Sequence, residues 1–231
     1  MGKDNIEKTL LKNDIEIVLK KCSKEDIIEY YQDKVLSFND ADLAYWFAMH
    51  MVDYDFNTKK FSKVIINSKN LRYNYEFARY IKGADLKGHE KVILNSKDVE
   101  YNYSFAATIP TADIKKHEKI ILESKDLYYI CNFASSIPDA DIKKCEEIIF
   151  NKSNIDYLYY IYFYGTILDE NKLDKYSTEK IVNIILESEN EELIHNFYNK
   201  RKDILERYNK IVDYEKFISQ KEELKKVYKY E

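Results

Sequence analysis

Residues 67–94, NSKNLRYNYEFARYIKGADLKGHEKVIL, are followed without a gap by NSKDVEYNYSFAATIPTADIKKHEKIIL (95–122) and ESKDLYYICNFASSIPDADIKKCEEIIF (123–150). Consecutive copies at a constant 28-residue period mark a repeat architecture, in which one supersecondary unit hides its apolar face against the next. An earlier copy spans Leu43 to Ile66, matching through Tyr45, Phe47, Ala48 and Met51, with about two extra residues ahead of Val64-Ile65-Ile66. A later copy opens at Asn151 and loses the pattern after Tyr157.

Each copy reads as two short helices. Asn70, Asp98 or Asp126 begins the first, because these side chains accept hydrogen bonds from the free amides of an opening turn. Ile109-Pro110 and Ile137-Pro138 end it, since proline disfavours a helical residue before it. The second helix is expected to open after Thr111 or Asp139, with Asp85, Asp113 or Asp141 against the positive end of its dipole. In the first helix Leu71, Tyr75 and Ala78 fall at i, i+4 and i+7, and Tyr73, Phe77 and Ile81 form a second apolar row. A helix apolar over most of its circumference must be covered on several sides, as between two stacked neighbours.

The flanks read as helices too. Ser23 to Asp26 resembles a capping box, and residues 1–38 would cap one end of the stack. Residues 39–165 hold about five repeats, and 166–231, with helices over Ser177–Ser188, Glu191–Lys210 and Tyr214–Tyr228, would cap the other. The expected fold is all-α, an α-solenoid of antiparallel helix pairs forming one continuous domain over 1–231. Four glycines and two prolines among 231 residues are too few for a turn-rich β-sandwich or barrel.

The pattern S-K-D-x-x-Y-x-Y-x-F-A-x-x-I-P-x-A-D-I-x-x-H-E-x-I-I-L is similar in layout to leucine-rich-repeat-variant and HEAT-like repeats over roughly 40–165. It departs from them in its 28-residue length and its tyrosine content. The resemblance implies a binding scaffold.

Charged residues make up 34% with a formal net of −4, so no bulk positive field gathers polyanions, which argues against nonspecific nucleic-acid binding. Three cysteines, Cys22, Cys131 and Cys145, at no ligand spacing suggest free thiols and a cytoplasmic setting. The opening residues lack the apolar run of a secretory signal, and the longest apolar stretch, Tyr157 to Leu168, is too short to cross a bilayer.

No catalytic constellation is recognisable, and no cofactor or metal is expected: the chain lacks a Gly-rich phosphate loop, Gly-x-Ser-x-Gly and His-Glu-x-x-His. His89 and His117 sit one repeat apart, each followed by glutamate, but neighbouring helices pack roughly 8–10 Å apart while a zinc-bound nitrogen lies about 2 Å from the metal. Cys145 takes the same place in the next copy, so these positions read as packing. Cys131, Cys145 and His117 could form a mixed site but lack a fourth ligand, and His195 is expected to face solvent. The lysine rows at Lys69, Lys97, Lys125 and at Lys87, Lys115, Lys143 read as a solvated face interleaved with acids.

The positions that differ between copies on the wet stripe of the first helix are Arg72, Glu76 and Arg79, then Glu100, Ser104 and Ala107, then Tyr128, Asn132 and Ser135. With Trp46 and Tyr80 they form the candidate partner-binding set, here Trp46, Arg72, Glu76, Arg79, Tyr80, Glu100, Tyr128 and Asn132, because aromatic and arginine side chains dominate interface energetics. The expected activity is non-enzymatic binding of another protein, as an adaptor or as an inhibitor, immunity or anti-defence protein. A second reading is a nucleic-acid-binding or DNA-base-modifying protein on a HEAT-like scaffold, similar to that of some alkylpurine DNA glycosylases. A third is metal-dependent hydrolysis through His89 and His117. No membrane partner is expected.

Overall fold

The computed structural model describes residues 3–151, 157–167, 175–188 and 190–207, with Lys216 and Ser219. Among them are thirteen helices and no strand, so the chain is all-α. The expected helix over Tyr214–Tyr228 lies outside the described stretches. None of the described helices is long and apolar enough to cross a membrane. Contacts group the chain into two compact units, Met1–Ile120 and Ile121–Glu231.

The first unit holds α1 (Lys3–Val18), α2 (Lys24–Ser37), α3 (Ala41–His50), α4 (Thr58–Ser68), α5 (Leu71–Tyr80), α6 (Leu86–Ser96), α7 (Val99–Thr108) and most of α8 (Ile114–Ser124). Helix α3 pairs with α4 and α5 with α6, and the pairs stack: α3 lies on α5, α5 on α7, and α4 on α6. Leu43, Phe47, Phe61, Ile65 and Phe77 fill the space between them, and Leu11 and Ile15 of α1 with Ile27 and Val35 of α2 extend the same core. Ser23 caps α2, accepting from the Asp26 amide, as the capping-box pattern predicts.

The second unit holds α9 (Leu127–Ser136), α10 (Ile142–Ile149), α11 (Tyr157–Ile167), α12 (Lys175–Glu187) and α13 (Glu191–Arg207). Helix α11 packs against α9, α12 and α13. Gly165 makes that crossing possible, since a Cβ there would lie 2.8 Å from both Ile181 Cγ2 and Phe197 Cε2. Buried Arg201 donates to the Gly165 carbonyl at 3.0 Å.

Asn70, Asp98 and Asp126 each cap the first helix of a pair, as expected. The second helix starts later than expected. Its caps are Asp85 and Asp141, which accept from the amides of Gly88 and Lys144, and Asp113 accepts from that of Lys116. The residue before the cap explains the shift: the Leu86 and Ile114 amides fold back onto the Ala84 and Ala112 carbonyls, a tight turn that holds the aspartate outside helical geometry.

Inside each pair-to-pair link, a serine closes one helix and opens the next. Ser68 Oγ donates to the Ile65 carbonyl at 2.6 Å and accepts from the Asn70 amide at 3.1 Å. Ser96 and Ser124 repeat the arrangement with Ile93 and Asp98, and with Ile121 and Asp126. The residue between serine and cap is a lysine with φ of 56° or 57° at Lys69, Lys97 and Lys125. This left-handed conformation crowds a Cβ, and helices usually place glycine here. Lys97→Gly is therefore expected to stabilise the protein by about 0.5–1 kcal/mol, seen as a higher urea midpoint with an unchanged slope; a lower midpoint would mean that the lysine side chain contributes more than the strain costs.

Candidate interaction face

On the first-helix side of the first unit, two tyrosines exchange partners across the stacked pairs. Tyr45 of α3 and Tyr73 of α5 stack with ring centroids 4.5 Å apart. The Tyr45 hydroxyl donates to Glu76 on α5, while the Tyr73 hydroxyl donates to Asp42 on α3 at 2.9 Å. Burial, then the Glu76 carboxylate, pushes the Tyr45 phenol up to about 12. The hydrogen bond to Asp42, then burial, raises that of Tyr73. Both stay protonated donors at any physiological pH. Arg72 Nε donates to Glu76 at 3.0 Å, and Lys12 of α1 pairs with Asp42 at 2.7 Å. One repeat on, Tyr75 meets Tyr101 edge to face at 6.2 Å.

This lattice supports the outward groups. Arg79 lies over the Tyr80 ring at 5.1 Å and donates to the Tyr75 hydroxyl at 3.0 Å. Tyr80 remains 46% exposed. Trp46 is half-buried between Lys12, 5.7 Å from its ring, and His50, whose ring is 4.5 Å away. Glu100 is exposed on α7. Of the predicted set, then, Arg72 joins Glu76 and Arg79 joins Tyr80, and Glu76 is half-buried with its carboxylate already bonded to Tyr45 and Arg72. Tyr128 and Asn132 belong to the second unit. Tyr128 is 50% exposed and stacks on Phe163 at 5.9 Å, and Asn132 Nδ2 donates to the Tyr128 carbonyl at 2.7 Å.

Behind this face runs a buried polar ladder that sequence reasoning missed. Asn74 on α5 is fully buried, and its amide nitrogen donates to the Ile65 carbonyl of α4 at 3.1 Å and to the Asn70 carbonyl at 2.8 Å. Its oxygen faces His89 Nδ1 of α6 at 2.8 Å. Asn102 repeats the pattern with the carbonyls of Ile93 and Asp98, and with His117 Nδ1 of α8 at 2.8 Å. With both amide hydrogens committed to carbonyls, the asparagine oxygen must accept, so each imidazole carries its proton on Nδ1.

The two histidines differ at Nε2. That of His89 is buried with no hydrogen-bond partner. That of His117 lies 3.3 Å from Glu90 Oε1, which also accepts from the Asp113 amide at 2.6 Å. The residue equivalent to Glu90 one repeat earlier is Ser62, whose hydroxyl accepts the corresponding Asp85 amide at 3.1 Å. Burial drives the His89 pKa down to about 4 and lowers that of His117, against the opposing pull of Glu90. His117 Nε2 can donate to Glu90 only after taking up a second proton.

A signal for this ladder was present. Counting four residues from each helix cap, the facing pairs are Ala44 with Phe61, Asn74 with His89, Asn102 with His117 and Ile130 with Cys145. Asparagine occurs only where histidine faces it, and the flanking pairs replace both together with apolar residues, trading small for large. All eight side chains are buried. The aromatic contact persists: Phe47–Phe61, Phe77–His89 and Phe105–His117 centroids lie 5.2 to 5.4 Å apart.

The histidines are thus placed as packing and hydrogen-bonding groups, and among the described residues no cluster of three or more His, Cys, Asp or Glu is arranged to hold a metal. Cys131 and Cys145 are buried, and burial followed by the neighbouring Cys145 pushes the Cys131 thiol up to about 12. A thiol that stays protonated is a poor nucleophile and a poor metal ligand. His195 is exposed, as expected.

These features define an all-α protein of stacked helix pairs. No family model matches the chain, and neither a curated protein nor a solved structure shows significant similarity to it.

Proposed function

We propose that this chain is a non-enzymatic, cytoplasmic protein-binding module of the α-solenoid type, an adaptor or an inhibitor, immunity or anti-defence protein. It takes its partner on the first-helix face. The observation that carries this reading is the outward pair Arg79–Tyr80, with Arg72 beside it, standing on the Tyr45–Glu76 and Tyr73–Asp42 lattice. Aromatic and arginine side chains supply most binding energy at protein interfaces, and anchors already held in place lose little entropy on association. The similarity of the repeat pattern to leucine-rich-repeat-variant and HEAT-like scaffolds points the same way.

Replacing Arg72, Arg79 and Tyr80 together by alanine is expected to weaken capture of the native partner by about 2–4 kcal/mol while leaving the helical spectrum intact. Isothermal titration with the partner recovered from the native host measures this. Unchanged affinity in a folded variant would reject this face, and a parallel Tyr128→Ala/Asn132→Ala variant reports on the second unit separately.

A further inference from the structure

The second helices of the pairs present a different chemistry. Helix α4 exposes Lys59, Lys60 and Lys63, and α6 exposes Lys87 and Lys91. Helix α8, as far as Ile120, exposes Lys115, Lys116 and Lys119. Few of the acids near these lysines share their surface, exposed Asp85 and Asp33, the latter 3.5 Å from Lys60, being the exceptions. Helix α4 has none, Glu90 is turned inward onto the Asp113 amide and His117, and Glu118 is 8% exposed. The rim aspartates Asp85 and Asp113 are helix caps, and Asp113 is further held by Lys116 at 2.7 Å. A protein of net charge −4 therefore carries a lysine face in its first unit.

Two adjoining grooves cut this face, sharing Lys91 and Asn95. The one between α4 and α6, of about 500 Å³, has an apolar floor of Ile66, Leu71 and Val92, a rim of Lys69 and Lys91, and no carboxylate in its lining. We propose that it binds an acidic amphipathic peptide segment of a partner protein, with apolar side chains on the floor and Asp or Glu side chains against Lys69 and Lys91. This site goes beyond the first-helix face and uses none of its residues.

Charge complementarity selects an anion, and the floor selects which kind. Tight binding of nucleic acid draws on stacking rings and arginine forks beyond lysine–phosphate contacts, and the exposed positions of α4, α6 and α8 to Ile120 carry neither an aromatic residue nor an arginine. A long polyanion would also meet the negative field of the whole chain, whereas a short segment with a few carboxylates meets mainly the local lysines.

The test uses the full chain and three labelled probes of about 16 residues or nucleotides: a peptide of Leu and Glu with leucines at helical spacing, an all-Glu peptide, and oligothymidylate. Fluorescence anisotropy at about 50 mM salt should show saturable binding of the Leu/Glu peptide, weakening as salt rises. That binding should be tighter than to either control. Lys69→Glu/Lys91→Glu should weaken it about tenfold or more, and Arg72→Ala/Arg79→Ala should leave it unchanged, which separates this site from the first-helix face. If the charge-reversed variant loses its helical spectrum, Lys69→Gln/Lys91→Gln takes its place with the same expectation. No saturable binding, equal or tighter binding of the all-Glu peptide or the oligonucleotide, or an unaltered affinity in a folded variant would each overturn the proposal.

Discussion

Asn102→Ala should destabilise the protein by about 2–3 kcal/mol. The asparagine donates to the Ile93 carbonyl at 3.2 Å and to the Asp98 carbonyl at 2.7 Å, and accepts from His117 Nδ1 at 2.8 Å, so it ties α6, α7 and α8 together. Its removal leaves the buried His117 N–H without an acceptor, which costs about 1–3 kcal/mol, and takes one of two side-chain donors from the Ile93 carbonyl, which keeps Ser96 Oγ at 2.6 Å. The same argument gives a double-mutant cycle at the preceding rung. Asn74→Ile alone strands His89, and His89→Cys alone strands Asn74 and opens a void. The two together reproduce the apolar pair Ile130 and Cys145 that the third repeat already uses. Urea denaturation should show the double variant less destabilised than the sum of the singles by at least about 1.5 kcal/mol. Additive losses would mean that the rung is not a coupled unit.

The second large effect is an acid-induced loss of stability above the range where carboxylates titrate. Burial holds His89 at a pKa of about 4, below the 6.5 of a free histidine. Between these two values the unfolded chain binds a proton that the folded chain refuses. Stability therefore rises with pH across that window, and it is lost as pH falls from 6.5 toward 4. The slope reaches about 1.4 kcal/mol per pH unit for one such group and totals on the order of 3 kcal/mol over the window. His117, also lowered by burial, acts in the same direction, less so because Glu90 favours its charged form. Asp40, Asp42, Asp113 and Asp141 are held below the usual carboxylate value by lysine hydrogen bonds, joined by the Tyr73 hydroxyl at Asp42 and by a backbone amide at the other three, so their contributions are lost at lower pH. Replacing the rung with the first pair, as Asn74→Ala/His89→Phe, should flatten the stability profile between pH 6.5 and 4. An equally steep profile in that variant would show that His89 does not titrate in this way.

Much of the architecture was legible in the repeats, and the reasons are local. Asn70, Asp98 and Asp126 satisfy amides of the turn that follows them, and a side chain that bonds its own neighbours can be read from spacing alone. Proline was a weaker guide. Helix α5 stops at Tyr80 with Lys82 where the later copies have proline, because the chain turns extended at Ile81 and buries that side chain, as it does at Ile109 and Ile137. Asn74 and Asn102 escaped notice because asparagine in a helix usually marks a wet position, and only partners on two other helices make it an interior residue. The candidate face was legible as residue types. That Glu76 is bonded to Tyr45 depends on how closely α3 and α5 approach.

By itself the sequence determined the helix pairs, the caps of their first helices and their 28-residue period, since these follow from contacts within a few residues along the chain. The tertiary structure alone decided which charges meet water. In one-dimensional order Glu90 and Glu118 dilute the lysines around them, but α6 and α8 turn these glutamates inward, Glu90 onto the next cap amide. A helix places every third or fourth residue on a common face, and only packing against a neighbour determines which face is covered and which stays in solvent.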